Sequence, residues 1–149
     1  MPNPPLDLYQ RNWPIRTTET LAPPARTVSG PSGVKAELDN SMFNSGTVIS
    51  GGTVAHSILS RNVRVQERAL VCDSILFEGV DVGPGAKWQR CIVDKGVRIP
   101  PGERIGFDIE FDRQRFTVSE SGIVVVPKNY QFEARPVVVE SRAAVAVPA

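Results

Sequence analysis

His56 is the only histidine in this 149-residue chain, and histidine is the side chain best suited to proton transfer near neutral pH. It could act as the general base of an acyl transfer, placed between the subunits of a trimer. The alternative is structural, with His56 standing beside Asp73 in a column of charged residues at the surface or at a corner. We favour the structural role and keep acyl transfer as a second hypothesis.

The other reactive or ligating side chains form few groups. Asp108, Glu110 and Asp112 alternate along a predicted loop or strand, where they could bind a divalent cation weakly, although a solvated acidic face is the simpler interpretation. Two cysteines make no disulfide framework, and the position of Cys91 favours packing over chemistry. The sequence has no second histidine for Ser/His/Asp catalysis and no cluster of His and Cys ligands for zinc.

An internal repeat of 17 residues organises the chain from Thr47 to Gly106. Its successive periods read TVISGGTVAHSILSRNV, RVQERALVCDSILFEGV, DVGPGAKWQRCIVDKGV and RIPPGERIG. Apolar residues then fall into three columns: Val48, Val65, Val82 and Ile99; Val54, Val71, Trp88 and Ile105; Leu59, Leu76 and Val93. The residue two positions before each of them is small, and Glu103 is the single exception. In one column these small residues are Ser57, Ser74 and Cys91.

A small residue followed two positions later by an aliphatic one, at steps of about six residues, is typical of a parallel β-helix built from hexapeptide repeats. We therefore predict an all-β solenoid with three short strands per coil and about 4.8 Å between equivalent residues of successive coils. Charged residues form three further columns: His56, Asp73 and Arg90; Arg61, Glu78 and Lys95; Arg64, Asp81 and Arg98. Charge changes along each column, which limits repulsion between stacked like charges. Asn62, Gly79 and Gly96 share a corner column and suit a left-handed backbone.

Composition divides the chain into four segments. Residues 1–33 form a Pro-rich linker with apolar anchors, which dock on the β-helix or mark where another domain packs. The anchors are Leu6, Leu8, Tyr9, Trp13 and Ile15. Residues 34–112 form the β-helix, with a ragged first coil in which Asn40 and Met42 lie one period before Ser57 and Leu59.

The period stops after Gly106, and residues 113–132 are predicted to form a hairpin that closes the far end of the solenoid. A loop comes first, followed by strands over Arg115 to Ser119 and Ile123 to Val126, joined by a turn at Glu120 to Gly122. Residues 133–149 are a tail rich in Ala and Val, and both an edge strand through Val137 to Val139 and a loose tail remain open.

Charge and hydropathy exclude several classes of function. The 17 basic and 16 acidic residues leave a net charge of +1, so we expect neither nucleic acid nor an anionic membrane as a partner. No stretch approaches the roughly 20 apolar residues of a membrane span, and the beginning of the chain lacks the pattern of a signal peptide. We therefore expect a cytoplasmic location.

Several stretches together resemble the C-terminal part of bacterial ADP-glucose pyrophosphorylase, also called glucose-1-phosphate adenylyltransferase. The resemblance covers roughly residues 6–128. The RNWPIRT linker and the ending that runs from Arg115 to Pro127, after the repeat, are the most specific parts, because hexapeptide coils occur in many transferases. The matching stretches are LDLYQRNWPIRT, LAPPARTV, NSMFNSGTVISGGTVAHSILSRNVRV, CIVDKGVRIPPGERIG and FDRQRFTVSESGIVVV.

The resemblance implies a left-handed β-helix, an exception to the usual right-handed crossover. It also implies a separate N-terminal catalytic domain that uses ATP and Mg, and no Gly-rich phosphate loop before a helix is present in these 149 residues. We therefore expect no cofactor in this chain. In the family the β-helix serves subunit contacts and helps to form the site of an allosteric effector, a phosphorylated sugar or glycolytic intermediate.

Two residues are carried over from this resemblance as the phosphate-binding part of the activator site. Lys95, in IVDKG, and Lys128, just after GIVVVP, fall where the family has basic residues tied to activator binding. An ammonium group suits a phosphate oxygen. The alternatives are a solvated charge ladder for Lys95 and an exposed strand end for Lys128. Where the family has further basic side chains, this chain has Phe132 and an unrelated tail.

Three functions follow as hypotheses. The first is the regulatory and oligomerisation domain of a glucose-1-phosphate adenylyltransferase, which acts in glycogen biosynthesis and is not catalytic on its own. The second is an independent acyltransferase of the hexapeptide class with His56 as its base. The third is a ligand-free scaffold that associates with itself. Expected partners are a second copy of the chain, catalytic domains or full-length adenylyltransferase subunits, and a phosphorylated effector.

Overall fold

The computed structural model describes residues 21–133, together with Asn12. Its short strands lie in three sheets that run along a solenoid, and successive strands of the chain pass from one sheet to the next. Sheet A contains β1 (Arg26–Val28), β4 (Val48–Ser50), β7 (Arg64–Val65), β10 (Asp81–Val82) and β13 (Arg98–Ile99). Sheet B contains β2 (Glu37–Asp39), β5 (Thr53–Ala55), β8 (Leu70–Cys72), β11 (Lys87–Gln89) and β14 (Arg104–Ile105). Sheet C contains β3 (Met42–Phe43), β6 (Ile58–Leu59), β9 (Ile75–Leu76), β12 (Cys91–Val93), β15 (Thr117–Val118) and β16 (Val124–Val126).

Strands of successive coils pair in parallel, which confirms the predicted β-helix of short strands. Within the described residues only β15 and β16 pair antiparallel. Each coil turns its alternate residues inward, because side chains of a strand point to opposite faces in turn. The left-handed sense of the coils remains a prediction.

The core is formed by three stacked columns of inward-facing side chains, and all of these residues are buried. They are Ile49, Val65, Val82 and Ile99 in sheet A; Val54, Val71, Trp88 and Ile105 in sheet B; and Leu59, Leu76, Val93 and Val126 in sheet C. The repeat predicted nearly all of them. Burying an aliphatic side chain contributes about 1.5–3 kcal/mol, so these columns are the main source of stability.

The predicted register is wrong by one residue in the first column. Ile49, and not Val48, pairs with Val65 and is completely buried. The reason is a tight corner at Gly51 and Gly52, where Gly51 has φ 67 and a Cβ on Gly52 would lie 2.7 Å from Val65 Cγ1. This corner takes one residue fewer than the equivalent corners of later coils.

The first coil is shifted in the same way and also begins earlier than predicted. Phe43, and not Met42, pairs with Leu59, and the backbone N–H of His56 donates to Asp39 O, which places Asn40 beside His56 and not beside Ser57. Strand β1 lies within the segment predicted as a linker and pairs with β4. The solenoid therefore includes residues before 34. The linker anchors Leu6, Leu8, Tyr9, Trp13 and Ile15 lie outside the described residues, as does Val137 to Val139 in the tail.

The small inward residues of one column form a polar ladder inside the core, beside the apolar columns. The hydroxyl of Ser57 accepts the backbone N–H of Ser74 at 3.1 Å, and the hydroxyl of Ser74 accepts that of Cys91 at 3.2 Å. Each side chain also donates to a backbone carbonyl two residues before it, at Ala55, Cys72 and Gln89. Hydroxyls are tolerated here because every one has a partner.

The far end of the solenoid is closed by a helix and a hairpin. Helix α1 (Ile109–Arg115) replaces the predicted loop, and Arg115 belongs to it and not to a strand. The antiparallel pair of β15 and β16 confirms the predicted hairpin, although β15 is shorter than expected. Beyond it, Phe132 packs edge-on against Trp88 and Tyr130, with ring centroids 6.3 and 4.9 Å apart.

Candidate functional site

The structure places Lys95 and Lys128 at adjacent positions of one column. Cys91 pairs with Val124 and Val93 with Val126, so the register carries Lys95 onto Lys128. The backbone N–H of Asn129 donates to Lys95 O at 3.0 Å, which extends the same register round the corner. Neighbouring strands lie about 4.8 Å apart, so the two lysine backbones are close neighbours.

A sharp corner presents both lysines to solvent. Gly96 and Asn129 follow them in the left-handed region, with φ 69 and 55, and both lysine side chains are exposed. The carboxylate of Asp94 accepts the backbone N–H of Lys95 at 2.7 Å and fixes the start of the turn. The corner column predicted from Asn62, Gly79 and Gly96 is confirmed, and Asn129 extends it.

The charge of this column becomes more positive toward its far end. Glu78 lies one coil before Lys95, and its Oε2 is 3.9 Å from Arg61 Nη2. Neither lysine ammonium forms an ion pair within residues 21–133. Each of these two stacked lysines carries an ammonium group with three N–H donors, a type of donor that suits the oxygens of a phosphate group.

The sequence identified both lysines without indicating that they are neighbours. Lys95 follows Glu78 by one period, but the chain inserts α1 and β15 before it returns to sheet C at β16. Phe132, which stands where the resemblance implies a basic residue, packs against the rings of Phe116 and Tyr130.

His56 contacts one acidic residue of the coil before it and one of the coil after it. Its Nδ1 lies 3.7 Å from Asp73 Oδ1, as the column predicts, and its Nε2 lies 3.5 Å from Asp39 Oδ2. Its side chain is 53% exposed, and its backbone turns a corner at φ 48. Both ring nitrogens therefore face carboxylates of neighbouring coils, and this arrangement favours the structural role over acyl transfer.

The three carboxylates after the repeat do not alternate along a loop or strand, because Glu110 and Asp112 lie in α1 and Asp108 is its N-cap. Asp108 caps the helix by accepting the N–H of Phe111 at 3.1 Å, and Glu110 lies 3.8 Å from Arg113 Nε. Asp112 is buried and accepts the N–H of Gly106 at 2.8 Å. Each carboxylate already has a partner. In the part of the chain that the structure describes, no three His, Cys, Asp or Glu side chains group as metal ligands.

The two cysteines differ in environment, and neither is activated. Burial raises the pKa of the Cys91 thiol to about 12, with a further contribution from the Asp112 carboxylate. Burial also raises the pKa of Cys72, and Asp73 adds to the effect. A thiol with a raised pKa is mostly protonated and a poor nucleophile near neutral pH. The packing role predicted for Cys91 agrees with its position in the ladder.

The sequence missed a buried ion cluster between the solenoid and its cap. Glu103, the one inward position that is not small, accepts from Arg115 Nη1 at 2.8 Å. Arg115 Nη2 also lies 3.4 Å from Asp112 Oδ1. The sequence did contain a signal for this cluster. Glu103 occupies an inward position where the other coils have small residues, and a buried carboxylate requires a basic partner.

Comparison with known proteins agrees with the fold and with the resemblance. The family model of the GlmU-like C-terminal hexapeptide matches residues 23–126. The chain is 53% identical over 131 residues to glucose-1-phosphate adenylyltransferase 2 of Vibrio cholerae, covering 88% of this chain and 32% of that protein. It is 48% identical over 131 residues to glucose-1-phosphate adenylyltransferase of Deinococcus deserti, covering 87% of this chain and 32% of that protein.

The chain thus spans about a third of the length of these relatives. The described residues include no helix with the length and apolar character needed to cross a membrane. The hexapeptide solenoid, the matched residues and the identity to adenylyltransferases agree with one another. The chain therefore belongs to the GlmU-like C-terminal hexapeptide family, and its sequence is similar to part of the glucose-1-phosphate adenylyltransferases.

Proposed function

We propose that this chain is the regulatory and oligomerisation domain of a cytoplasmic glucose-1-phosphate adenylyltransferase, the enzyme that forms ADP-glucose from ATP and glucose 1-phosphate for glycogen biosynthesis. Its similarity to adenylyltransferases of two bacteria over 131 residues supports this assignment. The domain is not catalytic on its own. Incubation of the purified chain with ATP, Mg²⁺ and glucose 1-phosphate should give no ADP-glucose, and turnover would refute this part.

The regulatory ligand is a phosphorylated sugar or glycolytic intermediate, bound by Lys95 and Lys128. The observation that carries this proposal is the register of β12 and β16, which makes the two lysines neighbours in one column. Both lysines are exposed at the same corner, and the chemistry of their ammonium groups suits the oxygens of one phosphate. A buried catalytic arrangement is not required, because an effector binds without reacting.

The test is binding of fructose 1,6-bisphosphate and of glucose 6-phosphate, followed by NMR chemical shifts and calorimetry. Lys95→Gln and Lys128→Gln should each weaken binding severalfold, since each replaces a charged donor with a neutral polar side chain that is one atom shorter. Lys87→Gln is the matched control, because Lys87 is exposed on sheet B, away from the corner. Equal effects of all three substitutions, or no binding of either compound, would contradict the assignment.

The assembly role is supported by an apolar surface on the outside of sheet C. Met42, Ile58, Ile75, Ile92 and Val125 follow one another by register, and the first three are exposed. Phe77 lies beside this column and is also exposed. A contiguous apolar strip on a sheet is typical of a protein–protein interface. The partner is a second copy or another adenylyltransferase subunit.

Sedimentation velocity of the purified chain tests the assembly role. An assembly of two or more copies is expected, and Ile58→Lys should lower its mass because a charge would enter the interface. Phe107→Lys is the control, since Phe107 is an exposed aromatic residue outside the strip. If the chain is a monomer at every concentration and does not bind a full-length adenylyltransferase, the assembly role is wrong.

A further inference from the structure

Charged corner residues border the apolar strip on the outside of sheet C on both sides. The strip runs from Met42 on β3 to Val125 on β16, with one residue from each coil. In the order of the coils, the corner between sheets B and C carries Asn40, His56, Asp73 and Arg90, and the corner between sheets C and A carries Ser45, Arg61, Glu78, Lys95 and Lys128. The sign of the charge therefore changes along both borders of the strip.

The two borders decide how a second copy of the chain can pack on the strip. Most homo-oligomers are closed by a two-fold axis, so that the same patch packs on itself. When two faces of sheet C pack on each other, this axis runs either along the solenoid or across it. An axis along the solenoid brings the opposite corners of the same coil together. It would set Asp73 against Glu78 and Arg90 against Lys95, which are pairs of like charge.

An axis across the solenoid sets each border against the same border of the second copy, with the coils in reverse order. If the axis passes through β6, β9 or β12, it sets Arg61, Glu78 or Lys95, respectively, against itself. If it passes between β9 and β12 or between β12 and β16, Lys128 meets Arg61 or Lys95, respectively. An axis at β3, or between β3 and β6, leaves most of the strip uncovered. Only an axis between β6 and β9 covers most of the strip without setting like charges against each other.

We propose that two copies of this chain pack sheet C against sheet C about a two-fold axis that passes between β6 and β9. This arrangement rests on the assembly role proposed above, and it specifies a second copy as the partner. Met42 then faces Ile92 and Ile58 faces Ile75, so the outward apolar residues of β3, β6, β9 and β12 lie against one another. The three of them that are exposed in the single chain become covered, and burial of this apolar surface drives the association.

The borders of the interface carry no pair of like charges in this arrangement. The facing residues are Arg90 with Asn40 and the neighbouring Asp39, His56 with Asp73, Arg61 with Glu78, and Lys95 with Ser45. Charged groups at the rim of an interface fix its register more than they raise its affinity. The row of Lys128 lies beyond the covered rows.

Cross-linking of cysteine variants tests the orientation of the two copies. The background is Cys72→Ser, because Cys72 is partly exposed whereas Cys91 is buried. A mixture of Met42→Cys and Ile92→Cys chains should be joined by a short bifunctional thiol reagent. Neither variant alone should be joined efficiently, since the two copies of Met42 lie at opposite ends of the covered rows. Efficient cross-linking of Met42→Cys alone would indicate an axis along the solenoid and would overturn the proposal.

Glu78→Gln tests the position of the axis. It should raise the dissociation constant of the dimer severalfold, because Arg61 of the second copy loses its charged partner. An axis through β9 predicts a tighter dimer instead, since the substitution would remove a repulsion between two copies of Glu78. Glu110→Gln is the matched control. Glu110 lies 3.8 Å from Arg113, much as Glu78 lies 3.9 Å from Arg61, but α1 is outside the strip, so the dimer should not change.

Sedimentation velocity of the wild-type chain and of both glutamine variants provides these dissociation constants and separates the two levels of the argument. A dimer that Glu78→Gln tightens or leaves unchanged would overturn the two-fold arrangement while the assembly role stands. A chain that is a monomer at every concentration would overturn the arrangement as well. The assembly role would then depend only on binding to a full-length adenylyltransferase.

Discussion

Arg115 Nη1 lies 2.8 Å from Glu103 Oε1, and this contact joins α1 to an inward-facing residue of the solenoid. Glu103 is buried at a position where the other coils have small residues. The guanidinium of Arg115 also stacks over the ring of Phe111, with its carbon 4.3 Å from the ring centroid. The ion pair and the stacking hold α1 over the end of the core.

Arg115→Met should destabilise the protein by about 3–5 kcal/mol, because it leaves the buried carboxylates of Glu103 and Asp112 without their cation. Urea unfolding followed by circular dichroism measures the change. Arg113→Met is the control, since Arg113 pairs with Glu110 on an exposed face and its loss should cost at most about 0.5 kcal/mol. Equal stabilities of the two variants would contradict a stabilising role for the cluster.

Alkaline pH should destabilise the chain through Cys91. Its pKa is raised from 9.0 to about 12 in the folded state, so the unfolded thiol loses its proton first as pH rises. The contribution of the thiol to stability is therefore complete below pH 9 and is lost progressively as pH rises toward about 12. Cys91→Ser, which continues the ladder of Ser57 and Ser74, should reduce this pH dependence. The free energy of unfolding as a function of pH checks it, and an unchanged slope would exclude Cys91 as the cause.

Gly96→Ala should cost more stability than Gly79→Ala, although both glycines have a left-handed backbone. At either site a Cβ in this region costs about 1–2 kcal/mol. A Cβ at Gly96 would in addition lie 2.5 Å from Asn129 Oδ1, whereas at Gly79 the nearest atoms lie 4.0 Å away. Asn129→Gly should remove the extra cost of Gly96→Ala.

This double substitution also tests the register beneath the lysine pair, since Asn129 lies on Gly96 only if Lys128 lies on Lys95. Urea denaturation of the single and double variants gives the coupling energy between the two sites. A coupling energy of zero would contradict the stacking of the two lysines.

Ile49→Ala should cost about 2–5 kcal/mol, because it leaves a cavity in the first core column. Val48→Ala should cost distinctly less, since Val48 is only partly buried on the other face of β4. Thermal or urea unfolding of the two variants distinguishes the observed register from the one predicted by the 17-residue period. A larger loss for Val48→Ala would restore the predicted register.

The sequence alone determined the type of fold, because a solenoid repeats its local rules. A small residue and an aliphatic one recur at fixed spacing, and each coil needs the same inward pair to fill the same cross-section. The charge columns of Arg64 and Asp81 and the corner glycines follow from the same stacking. These features can be predicted from the residues of one period, because every coil has the same cross-section.

The tertiary structure decided the features at which the repeat is interrupted. The tight corner at Gly51 moved Ile49 into the core, a change that a fixed period does not detect. Helix α1 was missed although Asp108 is a good N-cap, because a helix of 7 residues is too short to show an apolar periodicity. The return of the chain to sheet C then placed Lys128 on Lys95. Only long-range strand pairing brings two such residues together, because their distance along the sequence does not equal a multiple of the period.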